Sequence, residues 1–299
     1  MFRKLSIAVA AIAFLAVSNT GNAAELYGTL KKIKDSGQIV MGHREASVPF
    51  AYMGPDGKPV GYTVELCYRI IDSVKKTLKM PNLKVKLVPV TSQTRIPLLA
   101  NGTVDIECGS TTNNLTRSKQ IAYLAVTFIT GTKLAVKKGS GIKEIEDLNG
   151  KAVGLSLGTT NEKAIKRIAK VKGLKIKYHM VKDHPQGFLA LVTDRVDAYA
   201  TDHSLLAGLI TSSKNPSKYE IVGRFLSYDP YGIMVRRDDS AMQLLGNTVL
   251  ADLMRSGEIH KIYDKWFTKK IPGKPAVQLP MSPTLKVAFE VQALSLIHI

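Results

Sequence analysis

The chain has 299 residues, 45% of them hydrophobic, and a formal net charge of +18. This composition is typical of a globular protein with a sizeable core, in one large or two medium domains, and it excludes a disordered or collagen-like chain. The lysines are scattered rather than clustered, which favours a solvated basic surface, or a field that attracts small anions, and we expect no nucleic-acid partner.

Residues 1–23 are predicted to be a secretory signal peptide. Arg3 and Lys4 precede an apolar run over residues 5–17, and small residues surround a cleavage point near Ala23. The run is too short for an ordinary membrane span, and no later stretch is long enough. Because no cysteine lies at the cleavage point, we expect a freely diffusing exported protein without a lipid anchor.

The chain that follows alternates predicted strands and helices. Helices are indicated by apolar residues at i, i+3, i+4 and i+7, and strands by short apolar runs between polar loops. The predicted elements up to residue 108 are helix 29–36, strand 38–42, an aromatic hairpin over 48–62, helix 64–78, strand 84–90, helix 96–100 and strand 103–108.

The two cysteines both point into one predicted core. Cys67 lies on the apolar face of its helix, and Cys108 lies on the apolar face of its strand. An exported protein meets an oxidising environment, so a disulfide between them is one interpretation. Two buried free thiols are the other, because the sequence does not fix their separation.

A similar unit recurs in the second half of the chain. Strand 175–181 leads to the polar loop 182–184, a helix around Phe188 and a strand that contains Val196-Asp197, just as the first unit ends in Val104-Asp105. The recurrence predicts two lobes built on one plan, and the alternation of strands and helices predicts parallel α/β sheets.

Two short extended segments connect the predicted lobes. We expect lobe one to comprise residues 24–129 and 230–272, lobe two to comprise residues 133–226, and a two-segment hinge to comprise residues 130–132 and 227–229.

The C-terminal part contains four prolines that predict an extended tail over residues 273–293: Pro272, Pro275, Pro280 and Pro283. Residues 294–299 resemble the peptide that a transposon-end sequencing adapter encodes, and we expect them to be non-native.

The loop from Glu107 to Arg117 follows a buried strand and contains small hydroxyl and amide residues before one arginine. Such a loop presents several backbone N–H groups and a guanidinium to one space, which suits a carboxylate. Thr159 and Glu162 fit a capping box at a helix N-terminus, which also favours an anion, although capping alone would explain them.

Several motifs at strand ends carry a resemblance to a known family. They are Gly-His-Arg-Glu at 42–45, Val-Pro-Phe at 48–50, Thr-Ser-Gln-Thr-Arg-Ile-Pro-Leu-Leu at 91–99, Glu-Cys-Gly-Ser-Thr-Thr-Asn-Asn at 107–114, Lys-Asp-His at 182–184 and Lys-Trp-Phe at 265–267. Over residues 26–271 the chain resembles the periplasmic glutamate/aspartate-binding proteins, the solute receptors of polar amino acid ABC importers.

The resemblance implies an α/β, type II periplasmic binding protein fold, with mixed, mostly parallel sheets in two lobes that close over one amino acid. It implies a periplasmic monomer that binds L-glutamate or L-aspartate, delivers it to an inner-membrane ABC permease, and needs no cofactor or metal. It does not exclude a role as the receptor of a sensory membrane protein.

The resemblance also implies residues for the groups that all amino acids share. Ser110, Thr112 and Arg117 correspond to the clamp for the α-carboxylate, and Asp202 corresponds to the partner of the α-ammonium. Burying these ligand charges requires opposite charges from the protein. As the plainer alternative, Asp202 is only a helix N-cap.

The remaining implied residues hold the side-chain carboxylate or contact the ligand from lobe two: Arg44, Ser92, Arg95, Thr159, Thr160 and His184. Read singly, the arginines could be surface charges and His184 a turn residue. His203 departs from the acidic or small residue expected beside Asp202, which leaves fine selectivity open.

Two enzyme readings are weaker than this one. Gly154 to Gly158 satisfies Gly-x-Ser-x-Gly, but Ser156 alternates with leucines inside a strand. A dehydratase of cyclic acids shares the implied fold and would use His43, Glu45 or His184 as acid or base. We therefore expect a protein without catalysis.

Overall fold

The computed structural model describes residues 26–295 and contains two five-stranded sheets and one small three-stranded sheet. Its strands are β1 Gln38–His43, β2 Ala46–Ser47, β3 Ala51–Met53, β4 Pro59–Val60, β5 Lys84–Pro89, β6 Ile106–Cys108, β7 Ile121–Thr130, β8 Thr132–Lys137, β9 Ala152–Ser156, β10 Lys177–Val181, β11 Ala198–Asp202, β12 Tyr219–Val222 and β13 Asp229–Arg236.

The α-helices of these residues are α1 Gly28–Ser36, α2 Tyr62–Leu78, α3 Arg95–Ala100, α4 Leu115–Ser118, α5 Thr160–Lys172, α6 His184–Val192, α7 His203–Thr211, α8 Ser240–Arg255, α9 Glu258–Phe267 and α10 Pro283–Ser295. Within residues 26–295 no helix is long and apolar enough to cross a membrane. The predicted signal peptide and residues 296–299 lie outside the described residues.

The two large sheets follow the same plan. The first has the order β5-β1-β6-β13-β7 and the second the order β10-β9-β11-β8-β12. In each sheet two pairs of strands are parallel and two are antiparallel. The predicted two-lobed α/β architecture with mixed sheets is confirmed, with both kinds of pair in equal number rather than mostly parallel pairs. The first sheet with its helices forms the first lobe, and the second sheet with its helices forms the second.

The chain passes between the sheets at two places that lie side by side. Gly131 separates β7 from β8, and a side chain at this position would begin 2.1 Å from the Ser227 carbonyl oxygen of the return crossing. The Thr132 amide donates to the Ser227 hydroxyl at 3.0 Å. These contacts occur at the predicted hinge segments. The bending of the hinge and the boundaries of the lobes stay predictions.

Each lobe has its own apolar core. In the first, Phe50 packs edge-on against four aromatic rings, those of Tyr62, Phe128, Tyr231 and Phe267. The aromatic hairpin is thereby fixed beneath the end of β1. A disulfide joins Cys67 of α2 to Cys108 at the end of β6, with 6.2 Å between the Cα atoms.

The C-terminal segment differs from the extended tail predicted for residues 273–293. From Pro283 the chain forms α10, which buries Leu285 and Phe289 against the first lobe. Proline lacks an amide hydrogen, but the first turn of a helix does not need one, so Pro283 begins this helix instead of preventing it. The Leu285 amide donates to the Ser282 hydroxyl at 3.2 Å, which caps that turn.

Candidate functional site

Polar residues collect where β1, β6, β9 and β11 end, on the edges at which the two lobes face each other. The carboxyl ends of strands are the usual ligand side of α/β sheets. Nine of the ten predicted site residues are exposed by 8% or less, and only Thr160 is partly exposed. The structure therefore brings all the predicted residues to the buried region between the lobes.

Several hydrogen bonds join the lobes across this region. The Arg117 Nη2 donates to the Gly158 carbonyl oxygen at 3.1 Å, and the Thr112 and Thr160 hydroxyls lie 3.2 Å apart. Arg44 also forms an ion pair with Asp183, the residue before α6. The lobes are thus in contact in this structure.

Arg117 is held at one end of the cleft. Its own amide donates to the Asn114 side chain, which caps α4, and its Nη1 donates to the Thr112 carbonyl oxygen at 2.8 Å. Burial, reinforced by the positive charge of Arg95, lowers the pKa of Arg117 below its ordinary value. Ser110, seven residues earlier in the same loop, has a buried hydroxyl without a partner within the described residues. The loop therefore offers a cation and a hydroxyl to an anion.

Two further buried arginines form the other end. Arg95 donates through Nη1 to the Ser110 carbonyl oxygen at 3.1 Å and to the Thr111 hydroxyl at 2.7 Å. Among residues 26–295, Nε and Nη1 of Arg44, Nε of Arg95 and the Ser92 hydroxyl have no hydrogen-bond partner. A buried donor without a partner costs about 1–3 kcal/mol, and more when it is charged. The cluster therefore suits an anionic acceptor.

Asp202 is the buried acid on the second lobe's side. It lies at the N-cap position of α7, but its side chain makes no capping bond. Its carboxylate accepts from the Asn161 amide at 3.0 Å and from the Tyr231 hydroxyl at 2.6 Å. Burial, together with the negative charge of Asp229, raises the pKa of Asp202 to about 7. A cation placed beside it would favour its ionised form.

His184 is the first residue of α6, and its Nδ1 lies 2.9 Å from the Tyr199 hydroxyl. Burial and then the charge of Arg44 lower the pKa of His184 to about 3, so its ring is neutral at physiological pH. Tyr199 also lies 2.9 Å from the hydroxyl of Ser156, which is only 1% exposed. Ser156 is not placed as an exposed nucleophile.

Thr159 serves the second lobe itself. Its hydroxyl donates to the Ser156 carbonyl oxygen at 2.7 Å and accepts from the Glu162 amide at 3.1 Å. Thr159 is thus the N-cap of α5, but the Glu162 carboxylate accepts from the Gly158 amide rather than from the Thr159 amide, so the expected capping box is present only in part. The hydroxyl of Thr159 is thus occupied by local bonds.

His203, the residue that departs from the family pattern, begins α7 beside the crossings. Its ring packs edge-on against Phe225, and its amide donates to the Gly131 carbonyl oxygen at 2.9 Å.

Sequence reasoning missed five residues of the cluster: Glu107, Thr111, Asn161, Asp183 and Tyr231. Glu107, Thr111 and Asp183 lie within the motifs named above, but a sequence motif does not show the direction of a side chain. Asn161 and Tyr231 reach Asp202 from 41 and 29 residues away. No local pattern marks such long-range partners. Among residues 26–295 no group of His, Cys, Asp or Glu side chains could hold a metal ion.

Comparisons with known proteins agree with this geometry. The profile of the bacterial extracellular solute-binding proteins, family 3, matches residues 39–269. The chain is 46% identical over 266 residues to the L-glutamate/L-aspartate-binding protein of Pseudomonas aeruginosa, covering 88% of each chain. It is 42% identical over 291 residues to the glutamate/aspartate import solute-binding protein of Escherichia coli, covering 96% of each.

A solved structure of an ancestral arginine-binding protein bound to glutamine is similar with a TM-score of 0.69 at 32% identity, over 77% of this chain and 98% of that one. The profile match and both relatives extend through the two lobes described above. The chain therefore belongs to family 3 of the bacterial extracellular solute-binding proteins.

Proposed function

We propose that this protein is a periplasmic receptor that binds L-glutamate and L-aspartate between its lobes and delivers them to an ABC permease. The observation that carries the proposal is the pair of buried arginines, Arg44 and Arg95, whose Nε atoms lack partners among the described residues. The printed names of the two relatives support the same ligands and the role in import.

The proposed pose assigns each ligand group to one part of the cleft. The α-carboxylate lies against Arg117, Ser110 and Thr112, and the α-ammonium lies against Asp202. The side-chain carboxylate accepts from the free donors of Arg44, Arg95 and Ser92, with His184 beside them. Thr160 contacts the ligand from the second lobe, and Thr159 contributes through its backbone because its hydroxyl is already bonded.

The pose explains why an acid is preferred to its amide. Among residues 26–295, the unpartnered donors at the side-chain end are three guanidinium nitrogens of Arg44 and Arg95 and the Ser92 hydroxyl. A carboxylate offers acceptors alone, whereas the NH₂ group of an amide would face these donors and leave some of them unpaired. A buried donor left without an acceptor costs about 1–3 kcal/mol, and more when it is charged.

Closure of the lobes is the proposed binding step. The hydrogen bonds of Arg117 to Gly158 and of Thr112 to Thr160 cross between the lobes, so they can form only when the lobes meet. A ligand held by residues of both lobes favours this closed arrangement over an open one.

The protein is proposed to bind without catalysis and to act as a monomer. Of the three acid or base candidates, His184 is neutral and hydrogen-bonded to Tyr199. The predicted signal peptide supports export.

A thermal-shift panel of all common amino acids tests the ligand assignment, on protein freed of ligand by unfolding and refolding. Glutamate and aspartate are expected to raise the melting temperature most, because ligand binding to the native state stabilises it. Calorimetry with glutamine and asparagine is the control. Binding of the amides as tight as that of the acids would contradict the side-chain assignment, and turnover of prephenate or arogenate would contradict the absence of catalysis.

A further inference from the structure

Glu107 is a fully buried carboxyl group that the proposed ligand contacts do not use. It is 0% exposed and lies at the middle of β6, one residue before Cys108. Its Oε2 accepts from the Thr111 hydroxyl at 2.9 Å, whereas its Oε1 has no partner within the described residues. A buried carboxyl oxygen without a donor is costly when the group is ionised.

Glu107 is connected to both arginines of the side-chain end. The Thr111 hydroxyl donates to Glu107 and accepts from Arg95 at 2.7 Å, so Arg95, Thr111 and Glu107 form a directed chain. A Cβ atom on Gly109 would lie 2.3 Å from the Glu107 Oε1 and 2.8 Å from the Arg44 Cγ. The free oxygen and the Arg44 side chain therefore border the same small space.

The charged and titratable groups that act on Glu107 come from each neighbouring element. These groups are Arg44 after β1, Arg95 in α3, Arg117 in α4 and Tyr123 in β7. Met234 of β13, which lies opposite Glu107 in the strand register, is uncharged. Asp183 and His184 of the second lobe face Arg44 and Arg95.

The charges at this end are balanced before a ligand side chain is added. Arg44 and Arg95 supply two positive charges, and Asp183 and Glu107 supply two negative charges when ionised. A ligand carboxylate would bring one unbalanced negative charge into the closed cleft, whereas a ligand amide would bring none. Uptake of one proton by Asp183 or Glu107 would restore the balance for the acid.

Glu107 is the better of the two for that proton. Burial raises the pKa of Glu107 above its ordinary value although the arginines oppose this. Burial also opposes ionisation of Asp183, but the charge of Arg44 and the hydrogen bond from the His184 amide outweigh it and hold the pKa of Asp183 below its ordinary value. Asp183 remains 22% exposed, and it forms the direct ion pair with Arg44.

We propose that Glu107 sets the ligand charge that the cleft accepts: it takes up one proton from solvent when an acidic amino acid binds and stays ionised when a neutral amide binds. This inference rests on the proposed function, since it concerns the same ligands. The protonated carboxyl group keeps its bond from Thr111 through one oxygen. The added proton neutralises the negative charge of Glu107 beside Arg44.

The proposal predicts a dependence on pH that is specific to acidic ligands. Between the pKa of Glu107 in the free protein and its higher pKa in the complex, the affinity for glutamate falls about tenfold per unit rise in pH, because binding must then take up one proton. Below the free-state pKa the group is protonated in both states and the dependence vanishes. The Glu107→Gln variant, which resembles the protonated carboxyl group, should lack this component.

Calorimetry in buffers of different ionisation enthalpy counts the protons. With glutamate at pH 7.5, the unmodified protein is expected to take up about one more proton per ligand than Glu107→Gln. The variant should also prefer glutamate to glutamine at least about tenfold more strongly than the unmodified protein does at this pH. Glu290→Gln, an equal change of charge at an exposed position of α10, is the matched control and should behave as the unmodified protein.

Equal proton uptake in the unmodified protein and in Glu107→Gln would overturn the proposal. The number of protons that Asp202 gains or loses is the same in both proteins and cancels in the comparison. If Glu107→Gln does not fold, as judged by circular dichroism, the unmodified protein gives the test: glutamate should take up about one more proton than glutamine, and equal numbers would overturn the proposal. Absence of any glutamate binding would instead contradict the proposed function.

Discussion

Arg117 and Arg95 are both buried guanidiniums, but their neighbours assign them to different ends of a ligand. Arg117 bonds to the Thr112 and Gly158 carbonyl oxygens. Arg95 is turned towards Thr111 and Glu107. The first arrangement suits the carboxylate that all amino acids share, and the second suits a side-chain acid.

Substitution of the two arginines should separate these roles. Arg117→Ala is expected to weaken the binding of every amino acid by at least about a hundredfold, because the α-carboxylate loses its buried partner. Arg95→Ala should weaken glutamate and aspartate more than any neutral ligand. Calorimetry over the same ligand panel measures both effects, and an equal loss for every ligand in both variants would contradict the division.

Asp202 should make binding weaker in acid. Its pKa of about 7 in the free protein means that it must lose a proton to pair with the ligand ammonium at lower pH. Affinity should therefore fall by about tenfold per pH unit below pH 7 and be constant above it. The measurement is clearest in Glu107→Gln, where the opposing proton is absent; Asp202→Asn in that background should bind weakly at every pH, and a retained slope would contradict the assignment.

The predicted site residues lie in the loops and helix starts that follow strands, where α/β sheets place ligands, so their positions could be inferred from the sequence. It could not predict the pairs that cross the cleft. Arg44 meets Asp183 over 139 residues, and Asp202 meets Tyr231 of the other lobe. Such pairs arise from the relative position of two separately folded sheets, and no periodicity within one strand or helix encodes that position.

Helix α7 of the second lobe also contacts the first lobe. Leu205 of this helix belongs to the buried cluster of the first lobe, although α7 follows a strand of the second sheet. One turn later, Gly208 lies so near the first lobe that a Cβ atom there would be 2.3 Å from the Val48 carbonyl oxygen. The helix thus has space for glycine alone while the lobes touch.

Gly208→Ala should therefore weaken ligand binding without destabilising the ligand-free protein. The added methyl group overpacks the closed arrangement at a cost of about 1–3 kcal/mol, or about tenfold to a hundredfold in affinity, if closure is the binding step. In an open arrangement alanine is the better helix former. Titration calorimetry and thermal unfolding distinguish the two, with Thr211→Ala in the same helix as control. Lower stability of the free protein with unchanged affinity would indicate that the lobes do not separate.

Helix α10 is an element that the sequence pattern did not predict. Four prolines in a dozen residues favour an extended chain. Pro283, the last of them, instead begins a helix, because the segment that follows it buries Leu285 and Phe289. The packing surface that stabilises this helix belongs to α8 and β7, which are distant in sequence.

At the scale of the whole molecule, the disulfide joins the helix layer to the sheet of the first lobe. It closes a segment of 41 residues between Cys67 and Cys108. In the chain-entropy account, a loop of this length contributes about 4 kcal/mol to stability. The double variant Cys67→Ser, Cys108→Ser should lose stability of this order in urea denaturation, and the unmodified protein with reductant should behave alike. Unchanged stability in both would show that the bond contributes little.

The bond from Gln292 of α10 to β7 has a consequence for association between copies. β7 is the outer strand of the first sheet, and the Gln292 amide both accepts from the Val126 amide at 2.6 Å and donates to the Val126 carbonyl oxygen at 3.0 Å. At the middle of β7, the Gln292 side chain thus makes the two hydrogen bonds that the backbone of a further strand would make. An outer strand with free backbone groups is a template for another chain. By covering this edge, α10 withdraws the backbone groups of Val126 from such pairing.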